Sequence, residues 1–196
     1  MGIADADRLF VSGHSFGGYA TFGLVSQTNP FKAAIAHAGT TNLINTYGTL
    51  ISWMRYAENA NSILTLNIDG AEAGQGRMGN PPWKDRDRYI RNSPLTYVDR
   101  VTTPLMIVHG DMDVLGMEDP ENFFRSLYRQ GKRVQFVRYL GEGHVLGSPA
   151  NIRDMWQRMI EWMDEYGDIK RNAQGEILFE NGRAATESDE YKDQPQ

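Results

Sequence analysis

Short apolar runs alternate with stretches of helical period along this chain, the signature of βα units wound around a parallel sheet. Leu9-Phe10-Val11 predicts a buried strand that runs into Gly13-His14-Ser15-Phe16-Gly17-Gly18. A helix is expected next, with Tyr19, Phe22, Leu24 and Val25 on its packed face, until Asn29-Pro30 stops it. Ala33 to Ala36 reads as a second strand, Leu105 to Val108 as a third and Val134 to Tyr139 as a fourth. Asp119-Pro120 reads as an N-cap with Pro at the first helical position, and Phe123, Phe124, Leu127 and Tyr128 supply the apolar stripe before Gly131. Ser148-Pro149 repeats that logic, and Ile152, Met155, Trp156, Met159, Ile160 and Met163 then fall on one helical face. Between the second and third strands lie about seventy residues, too many for a plain connection. This stretch is expected to carry helices and a functional loop, with Gly74 to Trp83 irregular and turn-rich.

Composition narrows the class. The 196 residues carry a net charge of −5, 20 Gly and no Cys. A chain of this size can bury roughly 70% of the surface its unfolded form exposes, enough for one globular domain. Apolar runs reach only about five residues, against the ~20 that a helical bilayer span needs. The opening residues lack a basic segment followed by an apolar one, so no secretory signal is expected in this stretch. Without Cys there is no disulfide, thiol nucleophile or Cys-ligated zinc, although this does not fix the compartment. The acidic balance disfavours a nucleic-acid surface, which needs clustered Lys and Arg. No metal constellation stands out. Beyond Gly167 the sequence turns polar, so residues 168–196 are expected to be a largely disordered tail, with Ile177-Leu178-Phe179 as a possible short strand.

One motif changes the picture. Gly13-His14-Ser15-Phe16-Gly17 fits G-x-S-x-G, a strand-to-helix elbow whose small residues permit a strained turn that lifts the Ser hydroxyl clear of a sheet. The pattern alone is weak, and a Gly-rich turn that binds an anion is the competing reading. Its context carries it, because a strand precedes the Ser and a helix follows. A Ser nucleophile needs a base and an orienting carboxylate, in this fold in the chain order Ser, Asp, His, each just after a strand. His109-Gly110-Asp111-Met112-Asp113 follows the third strand, and Gly141-Glu142-Gly143-His144 follows the fourth. Among the four histidines, His144 is favoured as base because its Gly-flanked loop can reach across. His14 should point away from Ser15, His37 has no acidic partner in the pattern, and His109 suits a structural hydrogen bond. Asp113 is favoured over Asp111, whose competing role is to form a turn. Glu142 reads as a residue that shapes the loop.

These residues resemble the prolyl oligopeptidase family of serine peptidases. Its members carry G-x-S-x-G-G-Y at the elbow, as Gly13 to Tyr19 does here, and a Pro-led strand into H-G-x-x-D, matched by Thr103-Pro104 through Asp113. They also carry a loop like Gly141-Glu142-Gly143-His144 before the last helix, and Ser93-Pro94-Leu95 with Val101 to Pro104 resembles the family's approach to the Asp-bearing strand. The likeness runs from about residue 5 to 166. It implies an α/β-hydrolase fold with a mostly parallel sheet flanked by helices. It also implies Ser15 as nucleophile, Asp113 as carboxylate and His144 as base, acting on short peptides through an acyl-enzyme. The backbone N–H of Phe16 would be one oxyanion donor, and Phe16 and Tyr19 would meet substrate. Trp53, Tyr56, Trp83 and Tyr89 are core or pocket candidates, with core packing the default for Trp53 and Tyr56. An esterase using the same triad is the alternative, because the fold alone does not set the leaving group.

Two departures from the family pattern matter. After Asp113 the chain has Val114-Leu115-Gly116-Met117 where many members have Asp or Asn and then Val-Pro. The family's nucleophile follows a fifth strand, yet here it stands at residue 15. The expectation is therefore a partial catalytic domain over residues 1–167, lacking the first strands, the family's propeller and an upstream oxyanion donor that is often a Tyr hydroxyl. Its first strand would present an open edge to an N-terminal half of the same enzyme or to a second copy, and such a chain could be catalytically incomplete alone.

Overall fold

The computed structural model describes residues 5–50, 66–180 and 183–184. Four strands form one sheet: β1 (Phe10–His14), β2 (Ala33–His37), β3 (Leu105–Gly110) and β4 (Val134–Tyr139), in the order β1-β2-β3-β4. All three pairings are parallel, with His14 opposite His37 and Gly110 opposite Tyr139 at their ends. Burial explains this order. Every residue of β3 is buried, as a central strand covered on both faces must be, whereas most of β1 and β4 is only half-buried.

The period-2 alternation of β2 and β3 builds two cores. Ala34, Ala36, Leu105 and Ile107 face one way, beneath Phe22 and Val25 of α1 (Phe16–Gln27) and Phe123 and Leu127 of α5 (Glu118–Arg129). The alanines leave room for the Phe22 and Phe123 rings, 4.8 Å apart, to settle close to the sheet. Ala33, Ile35, Met106 and Val108 face the other way, beneath Met155, Met159 and Trp162 of α6 (Pro149–Gly167). Between β2 and β3 come α2 (Leu43–Gly48), α3 (Leu66–Glu72), α4 (Arg86–Arg91) and a 3-10 segment (Pro94–Arg100). They close over a smaller cluster of Leu43, Ala71, Met78 and Tyr89.

Three local readings differ from expectation. In α6, Trp156 is 54% exposed and Trp162 is buried in its place, because the helix rests on β2 and β3 and the flank of its apolar stripe lies beyond them. In α1, Leu24 is 41% exposed. Asp119 does not cap its helix: α5 begins two residues earlier, with Met117 at the N-cap, and the Asp119 side chain turns into the protein instead. Its carboxylate accepts from the Thr40 and Thr46 hydroxyls, the Thr41 and Asn42 backbone N–H groups and the Asn45 amide, a set that outcompetes its own helix end. Beyond Gly167 the polar segment is structured as far as it is described. Arg171 and Ile177 form an antiparallel bridge, and β5 (Phe179–Glu180) pairs with β6 (Arg183–Ala184). Trp53 and Tyr56 lie outside the described residues.

Candidate active site

The end of β1 passes directly into α1 through Ser15, which has φ 61° and ψ −120°, a backbone conformation that L-residues rarely adopt. Its N–H donates to the His37 carbonyl at 2.9 Å, tying the turn to β2. A Cβ on Gly13 would stand 2.2 Å from the Gly17 carbonyl oxygen, so only glycine permits the chain to fold back this tightly. The strained turn places the Ser15 hydroxyl at the C-terminal edge of the sheet. In a parallel sheet that edge is where residues from several strands converge.

There the structure brings Ser15, His144 and Asp113 together. His144 Nε2 lies 2.7 Å from Ser15 Oγ, and Nδ1 lies 2.9 and 3.0 Å from the two Asp113 oxygens. Asp113 is buried, with its Oδ1 also accepting the Leu115 backbone N–H at 2.9 Å. Burial alone would raise the Asp113 pKa. The His144 hydrogen bond, the His109 charge and the Leu115 N–H outweigh it, holding the carboxyl below its ordinary range. Asp111 lies outside this relay, accepting the Gly141 N–H at 2.7 Å.

The loop bearing His144 is shaped by Glu142, whose carboxylate accepts from Gly147 N–H at 2.6 Å, Ser148 N–H at 3.1 Å and the Asn151 amide at 2.7 Å. These donors hold its pKa down. Gly110 lets the loop approach β3, since a Cβ there would sit 2.3 Å from the Glu142 carbonyl oxygen.

Sequence reasoning set the other three histidines apart from the site, and the structure gathers them around it. His109 is fully buried with Nε2 3.4 Å from Asp113 Oδ2, and neither of its ring nitrogens makes a well-formed hydrogen bond among the described residues. His37 is pushed down to about pKa 4, by burial first and then by repulsion from His14 and His109. His14 packs beside the site, with its ring centroid 4.7 Å from His37 and 4.9 Å from His144. The register that sets His14 opposite His37 was the available signal, once β1 and β2 are known to pair.

Beside Ser15 opens a largely apolar cavity of about 300 Å³. Phe16 and Tyr19 both line it, with Thr40, Leu43, Thr46, Asn67, Ala71 and Leu115. The Tyr19 hydroxyl is committed to the Asn92 carbonyl at 2.7 Å. Tyr89 belongs to the core, and Trp83 is 71% exposed and not part of this lining. Sequence reasoning missed Thr40, Thr46, Asn67 and Leu115, because threonines and amides at irregular spacing carry no pattern of their own. Among the described residues no cluster of His, Asp and Glu is arranged to hold a metal, and no helix is long and apolar enough to cross a membrane.

The model of the prolyl oligopeptidase family matches residues 1–169. The chain belongs to that family. It is 30% identical over 166 residues to the uncharacterized peptidase YuxL of Bacillus subtilis, covering 83% of this chain and 23% of that protein. With dipeptidyl-peptidase 5 of Porphyromonas gingivalis the identity is 28% over 169 residues, covering 83% and 22%. Among solved structures, the acylaminoacyl peptidase of Pyrococcus horikoshii matches with a TM-score of 0.64 at 25% identity, covering 82% of this chain and 24% of that one. The fold is that of the α/β hydrolases, and the relatives are serine peptidases. The chain spans less than a quarter of the length of these prolyl oligopeptidase relatives.

Proposed function

We propose that this chain carries the catalytic relay of a serine peptidase acting on short peptides. Ser15 attacks the peptide carbonyl while His144 takes its proton and later returns it to the leaving amine. Asp113 holds the imidazole in the correct tautomer and steadies the imidazolium that forms. An acyl-enzyme on Ser15 separates the two halves of the reaction. The Phe16 backbone N–H, in the first turn of α1 where a helix has no internal acceptor, is one oxyanion donor. The observation that carries this reading is the unbroken line from Ser15 Oγ through His144 to a buried Asp113, with 2.7 and 2.9 Å contacts. The cavity beside Ser15 suits an apolar side chain next to the scissile bond. Relatives named as dipeptidyl and acylaminoacyl peptidases support action near a peptide's N-terminus.

The same reading includes a partner. The relatives' much greater length and the half-buried β1 support a strand from an N-terminal half of the enzyme pairing beside Phe10–His14. A fluorophosphonate probe tests the relay, with labelling expected at Ser15 and lost in Ser15→Ala. A folded wild-type chain that stays unlabelled, alone and with an added N-terminal half, overturns it. Peptide anilides compared with p-nitrophenyl esters test the reaction class, and turnover of esters alone would replace the peptidase with an esterase.

A further inference from the structure

The four histidines of the chain lie together, His109 and His144 against Asp113 and His14 against His37 and His144, yet the relay uses one. Of the other three, His14 makes a directed bond to the residue that acts: its Nε2 lies 2.7 Å from the main-chain oxygen of His144. A carbonyl oxygen can only accept, so His14 Nε2 carries the proton and donates it. His14 and Ser15 are consecutive, which means that one elbow grips His144 at two places, Ser15 at the ring and His14 at the backbone.

The loop needs such a grip. Gly141 and Gly143 flank Glu142, Gly141 adopts φ +74°, and a chain so rich in glycine has more conformations to lose than most. Glu142 fastens the following residues to the start of α6. His14 fastens His144 itself to β1, on the far side of β2 and β3 from the strand that delivers the loop.

We infer that His14 is a positioning residue for the general base, holding the His144 backbone so that its ring spans Ser15 and Asp113. The inference rests on the reading of His144 as that base. Its effect is geometric, and misplacing a catalytic group by about 1 Å can cost on the order of a hundredfold in rate.

Nitrogen-15 correlation spectra of the histidine rings in the full chain test the bond without turnover. His14 is expected with its proton on Nε2, and His144 with a low-field proton on Nδ1. In His14→Leu the low-field proton is expected to weaken and Ser15 labelling by a fluorophosphonate to slow about tenfold. His14→Gln, whose amide keeps an N–H donor, is expected to recover most of that rate. A neutral His14 protonated on Nδ1 overturns the inference, as does His14→Leu labelling at the wild-type rate with the low-field proton unchanged. Should His14→Leu not fold, the tautomer in the wild-type chain still decides. The acceptor is main-chain and survives His144→Ala, so that variant is expected to keep the His14 tautomer and lose labelling. Labelling that persists in it overturns the assignment of the base instead.

Discussion

Asp113 faces two histidines at once, and its worth lies in staying ionised between them. His144 Nδ1 takes the closer contact, and His109 approaches from within the core at 3.4 Å. Asp113→Asn would keep the shape and lose the charge, leaving His144 free to adopt the wrong tautomer. The expected result is a fall of about ten-thousandfold in the rate of Ser15 acylation, with the melting temperature little changed. His37 behaves in the opposite sense. The unfolded chain binds a proton at this ring near pH 6.5, whereas burial delays protonation in the folded chain until about pH 4. The unfolded state therefore holds more protons between those values, and stability falls as pH drops through that window. Melting temperatures followed from pH 6.5 down to pH 4 should show this slope, and His37→Gln should flatten it. Asp113 adds to acid sensitivity only lower down, because its folded pKa lies below the ordinary 3.8.

Among the elements, α2 depends on a residue that is not its own. The Asp119 carboxylate collects the Thr40 and Thr46 hydroxyls and two backbone N–H groups at the entry to α2, and so fixes the wall of the cavity that Thr40, Leu43 and Thr46 form. Asp119→Ala removes the acceptor shared by these buried donors and leaves the Thr41 and Asn42 backbone N–H groups without it, while the Thr46 hydroxyl keeps the Asn42 carbonyl. The expected cost is about 2–4 kcal/mol in denaturant unfolding, with weaker binding of short substrates and a smaller effect in Asp119→Asn. What the sequence disclosed and what it hid follow from range. The strands were legible from their short apolar runs, and Ser15, Asp113 and His144 because each stands in a glycine-bearing turn just after a strand. The role of Asp119 was not, since an Asp before a Pro looks like a cap and its true partners lie 73 to 79 residues away. The bond of His14 was hidden for the same reason, its acceptor being the backbone of a loop 130 residues on.

At the scale of the whole molecule, one edge of the sheet is unpaired among the described residues. β1 pairs only with β2 among the described residues, and α1 beside it is apolar around its circumference, with Phe16 at 42% and Leu24 at 41% exposure. A helix apolar all round is normally covered on every side. The chain alone is therefore expected to associate as concentration rises. Sedimentation velocity should show that association, and Leu24→Lys, which adds a charge at an exposed site, should reduce it without lowering the melting temperature. A wild-type chain that stays monomeric throughout would contradict the account of this face.

The sheet order carries one more consequence. Ser15 follows the strand at one edge of the sheet, and His144, 129 residues later, follows the strand at the other. No single element holds both, and the docking of the four strands brings them within reach. During synthesis the proposed nucleophile is made 129 residues before His144, and lacks its partners while Asp113 and the His144 loop are still being made. On the proposed reading, the site is disarmed by topology until β4 and the loop after it have docked.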